Sequence, residues 1–549
     1  MSQENGGQLL ARSLKEEGVK YVFSLTGHGI DDLYDGCMEH DIQIIDTRHE
    51  QAAALMAEGW ARATGKPGVV AVTLSPGVAA MVPGIANSGP SPVVAIAGKS
   101  HLSRLDMEDS QELDQLALMK PITKWARTIY QTERVPEYIS AAFRHATTGR
   151  PGPVYLDIPV DISENQVNNN EQVSSTGNYY TEVKPQGDPK AIRKAVELIC
   201  KAERPLLIGG GGLWWSGAWD ELRQFVELLQ IPFILKNKAR GVIPEDHHLS
   251  IGPALVAADK ADVVLTIGRR MDHWLGFGKS PLFNEKAKVI EVDIDPGVIG
   301  QNRPVEVGIV GDARAILRQM IEEARDSCKG RMHLSGWIEE CTAEYKSWRQ
   351  CLDAEANSDA VPIHPARLWK EVTDFLGRDT VVTIEGGEQG IWANHVLKAY
   401  SPGHMLNHFP LGGLGAGIPF GIAAKLANPD KRVLVCCGDG AFLITGMELD
   451  TAVRHNIPIV VVVSNNGCWG TCFHRQLKTY GRTTGTVLGH TRYDKLVEAL
   501  GGHGEWVEKP DDIRPALERA FQSGLPACVN IKTDQDAGCP VTYRGQIAD

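Results

Sequence analysis

Two short polar motifs in the last third of the chain have the residue types of a metal site. Gly438-Asp439-Gly440-Ala441 and Asn465-Asn466 each follow an apolar run of strand length. If those runs are neighbouring parallel strands, Asp439 and Asn466 lie at one edge of a sheet, where the carboxyl ends of strands bind ligands. A carboxylate and an amide carbonyl are hard oxygen ligands, which Mg²⁺ prefers. The spacing therefore predicts a magnesium site.

The residues around Asp439 also indicate what such an ion would hold. Gly438 and Gly440 allow the backbone to approach a phosphate closely, and a helix that follows would present its positive N-terminal end to an anion. Mg²⁺ commonly binds together with phosphate oxygens. Gly-Asp-Gly alone is a common turn, so the prediction of a bound diphosphate depends on the strand before it and on Asn465-Asn466 after the next strand.

The rest of the chain predicts parallel α/β domains that would position these motifs. Short β-branched apolar runs alternate with segments of helical spacing, which is typical of such domains. The 549 residues suggest three domains, predicted at 1–165, 188–335 and 360–549, with polar linkers near 163–187 and 353–359. The predicted strands are 21–25, 42–46, 68–73, 92–97, 154–158, 205–208, 231–235, 261–267, 288–293, 380–384, 432–437, 457–463 and 527–531.

Composition excludes several classes of partner. The net charge of −12 opposes binding to nucleic acid, which is itself negatively charged. No apolar stretch approaches the roughly 20 residues of a membrane helix. The first residues lack a secretory signal pattern, and the 11 cysteines show no Cys-x-x-Cys pair, which predicts reduced, buried thiols in a cytoplasmic protein.

The paired motifs resemble the cofactor signature of thiamine-diphosphate-dependent enzymes, which runs from Gly-Asp-Gly to Asn-Asn. The resemblance covers nearly the whole chain and implies a pyrimidine-binding, a central and a diphosphate-binding domain, as in acetolactate synthase-like members. It implies a Mg²⁺ shell formed by the Asp439 side chain, the Asn466 side chain and the main-chain oxygen of Cys468. Because such enzymes complete each site across a subunit boundary, it also implies a homodimer or homotetramer.

Glu50 resembles the family's catalytic glutamate, within Asp46-Thr47-Arg48-His49-Glu50. Its expected role is a hydrogen bond to N1′ of the aminopyrimidine, which favours the imino tautomer and leads to the C2 ylide and then the enamine. Leu414 resembles the apolar residue that supports the bent cofactor, and Gly412 the main chain that holds its amino group. The predicted cofactor-binding residues are Glu50, Gly387, Glu388, Gln389, Gly390, Gly412, Leu414, Gly438, Asp439, Gly440, Ala441, Asn466, Cys468 and Trp469.

Several motifs resemble benzaldehyde lyase, 2-hydroxyacyl-CoA lyase and oxalyl-CoA decarboxylase, among them 46–50 and Pro121-Ile122-Thr123-Lys124-Trp125-Ala126. The resemblance implies His28 and Gln111 as further catalytic residues. Benzaldehyde lyase has a histidine at the place of Gly29, so the acid-base role there falls to His28 or is absent. The predicted substrate-facing residues are His28, Gln111, His408, Trp469, Thr471 and His474, and structural hydrogen bonding is the alternative for each histidine.

The central domain carries one weaker prediction. Gly268-Arg269-Arg270-Met271-Asp272 resembles a segment of CoA-handling relatives, so Arg270, Asp293 and Asp312 are predicted to hold the ADP group of CoA, free ADP or a flavin. A structural ion pair is the alternative.

The predicted function is a carbon–carbon lyase or carboligase that acts on acyloins or 2-hydroxyacyl-CoA. Two alternatives stay open at this point. One is another enzyme of the family, an acetolactate synthase or a 2-oxo acid or oxalyl-CoA decarboxylase. The other is a non-catalytic subunit that only binds the cofactor, which the presence of Glu50 disfavours because binding requires the metal site whereas catalysis requires the carboxyl group.

Overall fold

The computed structural model describes residues 3–168, 181, 183–328, 334–409 and 411–542. These residues form three parallel sheets, each flanked by helices. The predicted α/β class with three sheets is therefore confirmed. None of the helices in these ranges is long and apolar enough to cross a bilayer.

The N-terminal domain has a six-stranded sheet in the order β3-β2-β4-β5-β7-β6, and β1 pairs antiparallel with β8 outside it. Its elements are β1 (Gln3–Asn5), α1 (Gly6–Glu16), β2 (Tyr21–Leu25), α2 (Asp31–Glu39), β3 (Gln43–Asp46), α3 (Glu50–Thr64), β4 (Gly68–Val72), α4 (Ser75–Ser88), β5 (Val93–Lys99), α5 (Gln115–Met119), β6 (Trp125–Thr128), α6 (Val135–Thr147), β7 (Val154–Pro159), α7 (Val160–Glu164) and β8 (Gln166–Asn168).

The central domain has a five-stranded sheet in the order β10-β9-β11-β12-β13. Its elements are α8 (Pro189–Lys201), β9 (Pro205–Gly209), α9 (Gly211–Ser216), α10 (Trp219–Leu229), β10 (Phe233–Leu235), β11 (Val263–Ile267), β12 (Lys288–Asp293), β13 (Val307–Val310) and α11 (Ala313–Ser327). The following helix, α12 (Ser335–Asp353), buries Trp337 in the central core and Trp348 in the core of the next domain, so it connects the two.

The C-terminal domain repeats the strand order of the first, as β15-β14-β16-β17-β19-β18. Its elements are α13 (Pro365–Phe375), β14 (Val381–Ile384), α14 (Glu388–Val396), β15 (Met405–Asn407), α15 (Gly417–Ala427), β16 (Val433–Gly438), α16 (Asp439–Thr445), α17 (Glu448–Arg454), β17 (Val460–Asn465), α18 (Gly470–Tyr480), α19 (Tyr493–Ala499), β18 (His503–Val507), α20 (Ile513–Gln522) and β19 (Ala527–Lys532).

The first and last domains pack through equivalent helices, α3 and α15, and share one hydrophobic core. A Cβ atom added at Gly59 in α3 would come within 2.9 Å of the Phe420 backbone in α15. The absence of a side chain at Gly59 therefore permits this close packing, which brings the N-terminal end of α3 to the loops of the C-terminal domain.

The predicted linker at 163–187 is wrong at its start, where residues 166–168 form β8 and pair with β1, and residues 169–180 and 182 lie outside the described residues. The prediction that every thiol is reduced and buried is wrong, because Cys200 and Cys328 form a disulfide with Cα atoms 5.7 Å apart, and Cys472 is exposed. The two half-cystines end α8 and follow α11, and these helices pack together, which places the sulfurs in reach of each other despite their separation of 128 residues.

Candidate functional site

Three oxygen atoms meet where strands β16 and β17 end side by side. The side-chain oxygen of Asn466 lies 3.0 Å from the main-chain oxygen of Cys468 and 3.3 Å from Oδ1 of Asp439. Asp439 and Asn466 are 2% and 1% exposed. Neighbouring ligands of an octahedral Mg²⁺ are about 3 Å apart, given metal–oxygen distances of roughly 2.1 Å, so the spacing of this oxygen cluster suits that ion.

An amide turned the other way would also satisfy Asn466, since its nitrogen would then donate to both neighbouring oxygens. The second carboxylate oxygen of Asp439 distinguishes a metal-binding Asn466 from one that only forms hydrogen bonds. Asp439 Oδ2 is buried and has no hydrogen-bond partner among the described residues. Burial raises the pKa of Asp439 to about 7, and the Gly440 N–H at 3.0 Å opposes this only in part. A buried carboxylate left without a partner is costly, and a cation would remove that cost.

The surroundings of the oxygen cluster suit an anion beside the metal. Helices α14 and α18 both begin here. Gly387 packs against the Thr471 hydroxyl, and Gly438 packs against the Gln389 side chain. Both polar atoms of the Gln389 amide are buried without a partner in the described part of the chain. Helix N-termini and unpaired amide groups are ready binding groups for phosphate. Of the predicted cofactor-binding residues, Gly387, Gln389 and Gly438 therefore lie together beside Asp439.

Glycine is also required at the start of α16. A Cβ atom at Gly440 would come within 2.6 Å of the Trp469 ring. Trp469 is held by a backbone hydrogen bond from its N–H to the oxygen of Thr486, 2.8 Å long. Gly440 therefore lets the indole pack directly on the helix that carries Asp439.

Glu50 is the first residue of α3 and is half-buried. Its neighbour Gln51 donates from Nε2 to the main-chain oxygen of Leu414, at 3.3 Å. Thr47 and His49 hold the preceding turn, since the Thr47 hydroxyl donates to the His49 oxygen at 3.1 Å and His49 Nδ1 accepts from the Gln51 N–H at 3.1 Å. No hydrogen bond between described residues joins Glu50 to the oxygen cluster of its own chain.

The Gly-rich loop that holds Leu414 is fixed by a buried glutamate at the end of β14. The Glu385 carboxylate accepts the N–H groups of Gly415, Ala416 and Gly417, the last two at 3.0 and 2.6 Å. Burial raises the pKa of Glu385 to about 7. Gly412 and Gly415 have φ values of +78° and +97°, which other residues rarely adopt. The loop thus presents half-buried Leu414 in a defined position.

Two of the predicted histidines lie in the C-terminal domain. His474 Nδ1 is 2.9 Å from Glu388 Oε1, which also accepts the Cys539 N–H at 3.0 Å. The hydrogen bond that His474 donates to the Glu388 carboxylate raises the pKa of His474. Burial lowers the pKa of His408 to about 4, so His408 is a neutral imidazole at physiological pH. The structure shows Glu388 Oε1 engaged with His474, and Oε2 is buried without a partner among the described residues. A contact of Glu388 with the cofactor stays a prediction.

His28 and Gln111 lie on loops at the carboxyl edge of the N-terminal sheet, and both are exposed. His28 Nδ1 is 3.8 Å from the Asp31 carboxylate, and Gln111 has a φ of +60°. The structure of one chain brings neither of them to the oxygen cluster.

A cavity of about 1190 Å³ lies between the N-terminal and central domains, at the carboxyl edge of the central sheet. Arg270, Asp293 and Asp312 all line it, together with Arg150 from the N-terminal domain. Burial raises the pKa of Asp293, and the charges of Arg150 and Arg270 oppose this increase. Asp312 also caps α11 by accepting the N–H groups of residues 314 and 315.

Sequence reasoning named Leu414, Glu388 and His474 but missed several contacts that hold the site in place. These contacts are Gln51 with Leu414, Glu388 with His474, Glu385 with the Gly-rich loop and Glu448 with the backbone of Arg48. A glutamate at a strand end was the only available signal, for Glu385. The others depend on contacts between residues 86 to 400 positions apart, which no local pattern contains.

Comparison with known proteins places this geometry in a family. Family models for thiamine pyrophosphate enzymes match at the N-terminal TPP-binding domain (residues 4–118), the central domain (192–320) and the C-terminal TPP-binding domain (385–531).

Curated relatives match over nearly the full length. A probable acetolactate synthase of Mycobacterium bovis is 38% identical, over 98% of this chain and 97% of its own. A 2-hydroxyacyl-CoA lyase of Arabidopsis thaliana is 32% identical over 97% and 96%, and an oxalyl-CoA decarboxylase of Escherichia coli K12 is 30% identical over 98% and 96%. The chain belongs to the thiamine pyrophosphate (thiamine diphosphate) enzymes.

Proposed function

We propose that this enzyme uses thiamine diphosphate with Mg²⁺ to cleave or form the carbon–carbon bond of a 2-hydroxyacyl compound, either an acyloin or a 2-hydroxyacyl-CoA. The observation that carries the metal and cofactor assignment is the oxygen cluster of Asp439, Asn466 and Cys468 beside two helix N-termini. When bound, the cofactor supplies the nucleophilic carbon and the electron sink.

Each protein group then has a separate task. The oxygen cluster would hold Mg²⁺, while Gly387, Gly390 and Gln389 would bind the diphosphate. Leu414, on its fixed loop, would support the bent shape of the cofactor, and Glu50 would hold a proton at the pyrimidine N1′. His408, which burial keeps as a neutral imidazole, would hydrogen-bond to the substrate hydroxyl.

The charge of the predicted substrate-facing residues favours a hydroxyl compound over a 2-oxo acid as the substrate. The residues predicted to face the substrate are histidines, Gln111, Trp469 and Thr471, and none carries a permanent positive charge. His474, whose pKa is raised, is already paired with Glu388. The carboxylate of a substrate such as pyruvate would lose its water without gaining an ion pair from any of these residues, which is unfavourable.

Acetolactate synthesis from pyruvate is the second candidate. The observation in its favour is the 38% identity to the probable acetolactate synthase of M. bovis, compared with 32% and 30% for the lyase and the decarboxylase. A decarboxylase for oxalyl-CoA is supported to a lesser degree by the same comparison.

Exposed apolar side chains support assembly into a homodimer or homotetramer. Leu443, Ile444 and Met447, at the end of α16 and just beyond it, are 52%, 48% and 46% exposed, and Leu411 on the Gly-rich loop is 61% exposed. Clustered exposed apolar side chains often mark an interface. Because this cluster borders the helix of Asp439, a second copy bound there would reach the site and could supply Glu50.

The substrate proposal is tested with purified enzyme, thiamine diphosphate and Mg²⁺. Benzoin, a 2-hydroxyacyl-CoA, pyruvate and oxalyl-CoA are incubated separately and the products identified by mass spectrometry. We expect benzaldehyde from benzoin, or an aldehyde and formyl-CoA from the 2-hydroxyacyl-CoA. The same incubations with EDTA in place of Mg²⁺ are the control. Acetolactate from pyruvate would instead establish the second candidate, and no turnover of any of the four would contradict both.

We also propose that the central cavity binds an adenosine diphosphate group, as ADP or as part of CoA or a flavin. Gly211, Gly268 and Gly311 line the cavity just beyond the strand ends, and Arg150 and Arg270 supply positive charge. Asp293, at the end of β12, is placed to accept ribose hydroxyl groups, as acidic residues at strand ends do in dinucleotide-binding folds.

Thermal unfolding with added nucleotide tests this second proposal. ADP, CoA and FAD are titrated separately, and at least one should raise the unfolding midpoint of the wild-type enzyme. Arg270→Ala should weaken the binding of that ligand about tenfold, because a charged phosphate contact contributes on the order of 1.5–3 kcal/mol. Arg223→Ala, an exposed change on α10, is the matched control. Midpoints that none of the three compounds shifts would show that the arginines and aspartates are a structural charge cluster.

A further inference from the structure

A buried glutamate of the C-terminal domain contacts the turn that carries Glu50. Glu448 is the first residue of α17 and is 1% exposed. It lies nine positions after Asp439, and it belongs neither to the oxygen cluster nor to the residues proposed to bind the diphosphate. A carboxylate at this depth requires strong hydrogen bonds to offset its desolvation.

Glu448 finds these bonds in the N-terminal domain. The N–H of Arg48 lies 3.1 Å from Oε1 and 3.2 Å from Oε2 of Glu448, and the N–H of His49 is a further donor. Within its own domain, the Thr451 hydroxyl donates to Oε2 at 2.7 Å. Burial raises the pKa of Glu448 to about 7, and these hydrogen bonds oppose that increase. Hydrogen bonds to the ionised carboxylate are about twice as strong as neutral ones, so Glu448 fixes the backbone two residues before Glu50.

The same turn is held on its other side by different contacts. Thr47 donates its N–H to the Ser24 oxygen at 2.8 Å, and Gln51 donates to the Leu414 oxygen at 3.3 Å. Glu50 therefore lies between two attachments to the C-terminal domain, through Glu448 before it and through Gln51 after it. With both attachments in place, the start of α3 has little freedom to move relative to the C-terminal domain.

We propose that Glu448 is a positioning residue for Glu50. Its carboxylate holds the backbone of Arg48 and His49, and so sets where the Glu50 carboxyl group meets the pyrimidine ring. This inference rests on the role of Glu50 in the proposed function. A shift of about 1 Å in a catalytic group is enough to lower a rate about 100-fold, so a fixed turn has direct consequences for the reaction.

The alternative is that Glu448 only joins the two domains. Other contacts already do so at the surface, where Asp46 pairs with Arg454 and, at 2.7 Å, with His455. Asp46 lies only four positions before Glu50. Its side chain is 48% exposed and attaches the end of β3, rather than the turn, to the C-terminal domain. Asp46→Asn is therefore the matched control for loss of an interdomain charge.

The experiment is a double-mutant cycle on the intact enzyme. The dissociation constant of thiamine diphosphate is measured at saturating Mg²⁺ for wild type, Glu448→Gln, Glu50→Gln and the double variant. Glutamine keeps the shape of Glu448 but replaces one acceptor oxygen with a donor. We expect Glu448→Gln to weaken binding about tenfold in the wild-type background and less than about twofold in the Glu50→Gln background, because residues that act through one another are not additive. Asp46→Asn should change the constant by less than about twofold in either background.

Each outcome has one meaning. Equal losses in both backgrounds would overturn the inference and show a general structural role for Glu448. Unchanged binding and turnover in Glu50→Gln alone would instead overturn the proposed role of Glu50.

If Glu448→Gln does not fold, as judged by its unfolding midpoint, Thr451→Val carries the test. That variant leaves the carboxylate in place and removes one bond to Oε2. We expect a loss of about threefold that again disappears in the Glu50→Gln background, and a threefold loss in both backgrounds would contradict the inference.

Discussion

Replacing Asp439 with asparagine should weaken Mg²⁺-dependent binding of thiamine diphosphate at least about 100-fold, which corresponds to about 2.7 kcal/mol. Asparagine keeps one hard oxygen but removes the negative charge nearest to the metal, and a buried charge pair is screened far less than one in water. The measurement is calorimetric titration of the cofactor at a series of Mg²⁺ concentrations. Turnover should fall in parallel, because the cofactor is lost rather than misplaced.

Asp374→Asn is the matched control for this prediction. Asp374 lies on α13 of the same domain and pairs with Lys370 at 2.8 Å at the surface, so its loss should leave the affinity unchanged within about twofold, as for most surface ion pairs. Asn466→Leu decides between the two orientations of the Asn466 amide. A metal ligand would be lost and Mg²⁺ affinity would fall about tenfold, whereas an amide that only bridges Asp439 and Cys468 would leave the Mg²⁺ dependence intact. Retention of Mg²⁺-dependent binding by Asp439→Asn would contradict the assignment of the metal site.

The sequence predicted the strands that lie inside the sheets better than those at their edges. The inner strands of each sheet have two buried faces and read as continuous apolar runs, as in Val460–Asn465 of β17, where every residue is buried. The strands that were missed include β6, β13, β15 and β18, and all four are edge strands. Their patterns are short or half-exposed, such as buried–exposed–buried–exposed in β13, so hydrophobicity alone did not reveal them.

The residues of the site also differ in whether the sequence around them is enough to predict their place. Asp439 and Asn466 could be predicted because each directly follows its strand, and parallel neighbours bring strand ends together. The pairing of Glu388 with His474 could not be predicted, although both residues were named, because helices α14 and α18 meet only in the folded domain. His28 and Gln111 stay predictions, since the single chain leaves both of them exposed.

Glu50→Gln should lower kcat by about 10³-fold while the cofactor still binds, with an affinity reduced about tenfold. General acid–base groups typically contribute 10²–10⁴-fold, and glutamine can hydrogen-bond to a pyrimidine nitrogen but cannot transfer a proton to it. Single-turnover measurement with saturating cofactor separates the two effects. Glu133→Gln, an exposed change in the same domain, should keep kcat within about twofold, and a Glu50→Gln enzyme with wild-type kcat would exclude Glu50 from catalysis.

The same variant tests whether each site is built from two chains. Glu50 and Asp439 are not joined by hydrogen bonds within one chain, and apolar surface borders the helix of Asp439, so we expect them to meet across a subunit boundary. Glu50→Gln and Asp439→Asn chains, each inactive alone, are coexpressed with different tags. Random pairing makes half of the dimers mixed, and each mixed dimer has one intact site, so about one quarter of wild-type activity should return. If both residues served the same chain's site, every site would carry one substitution and no activity would return.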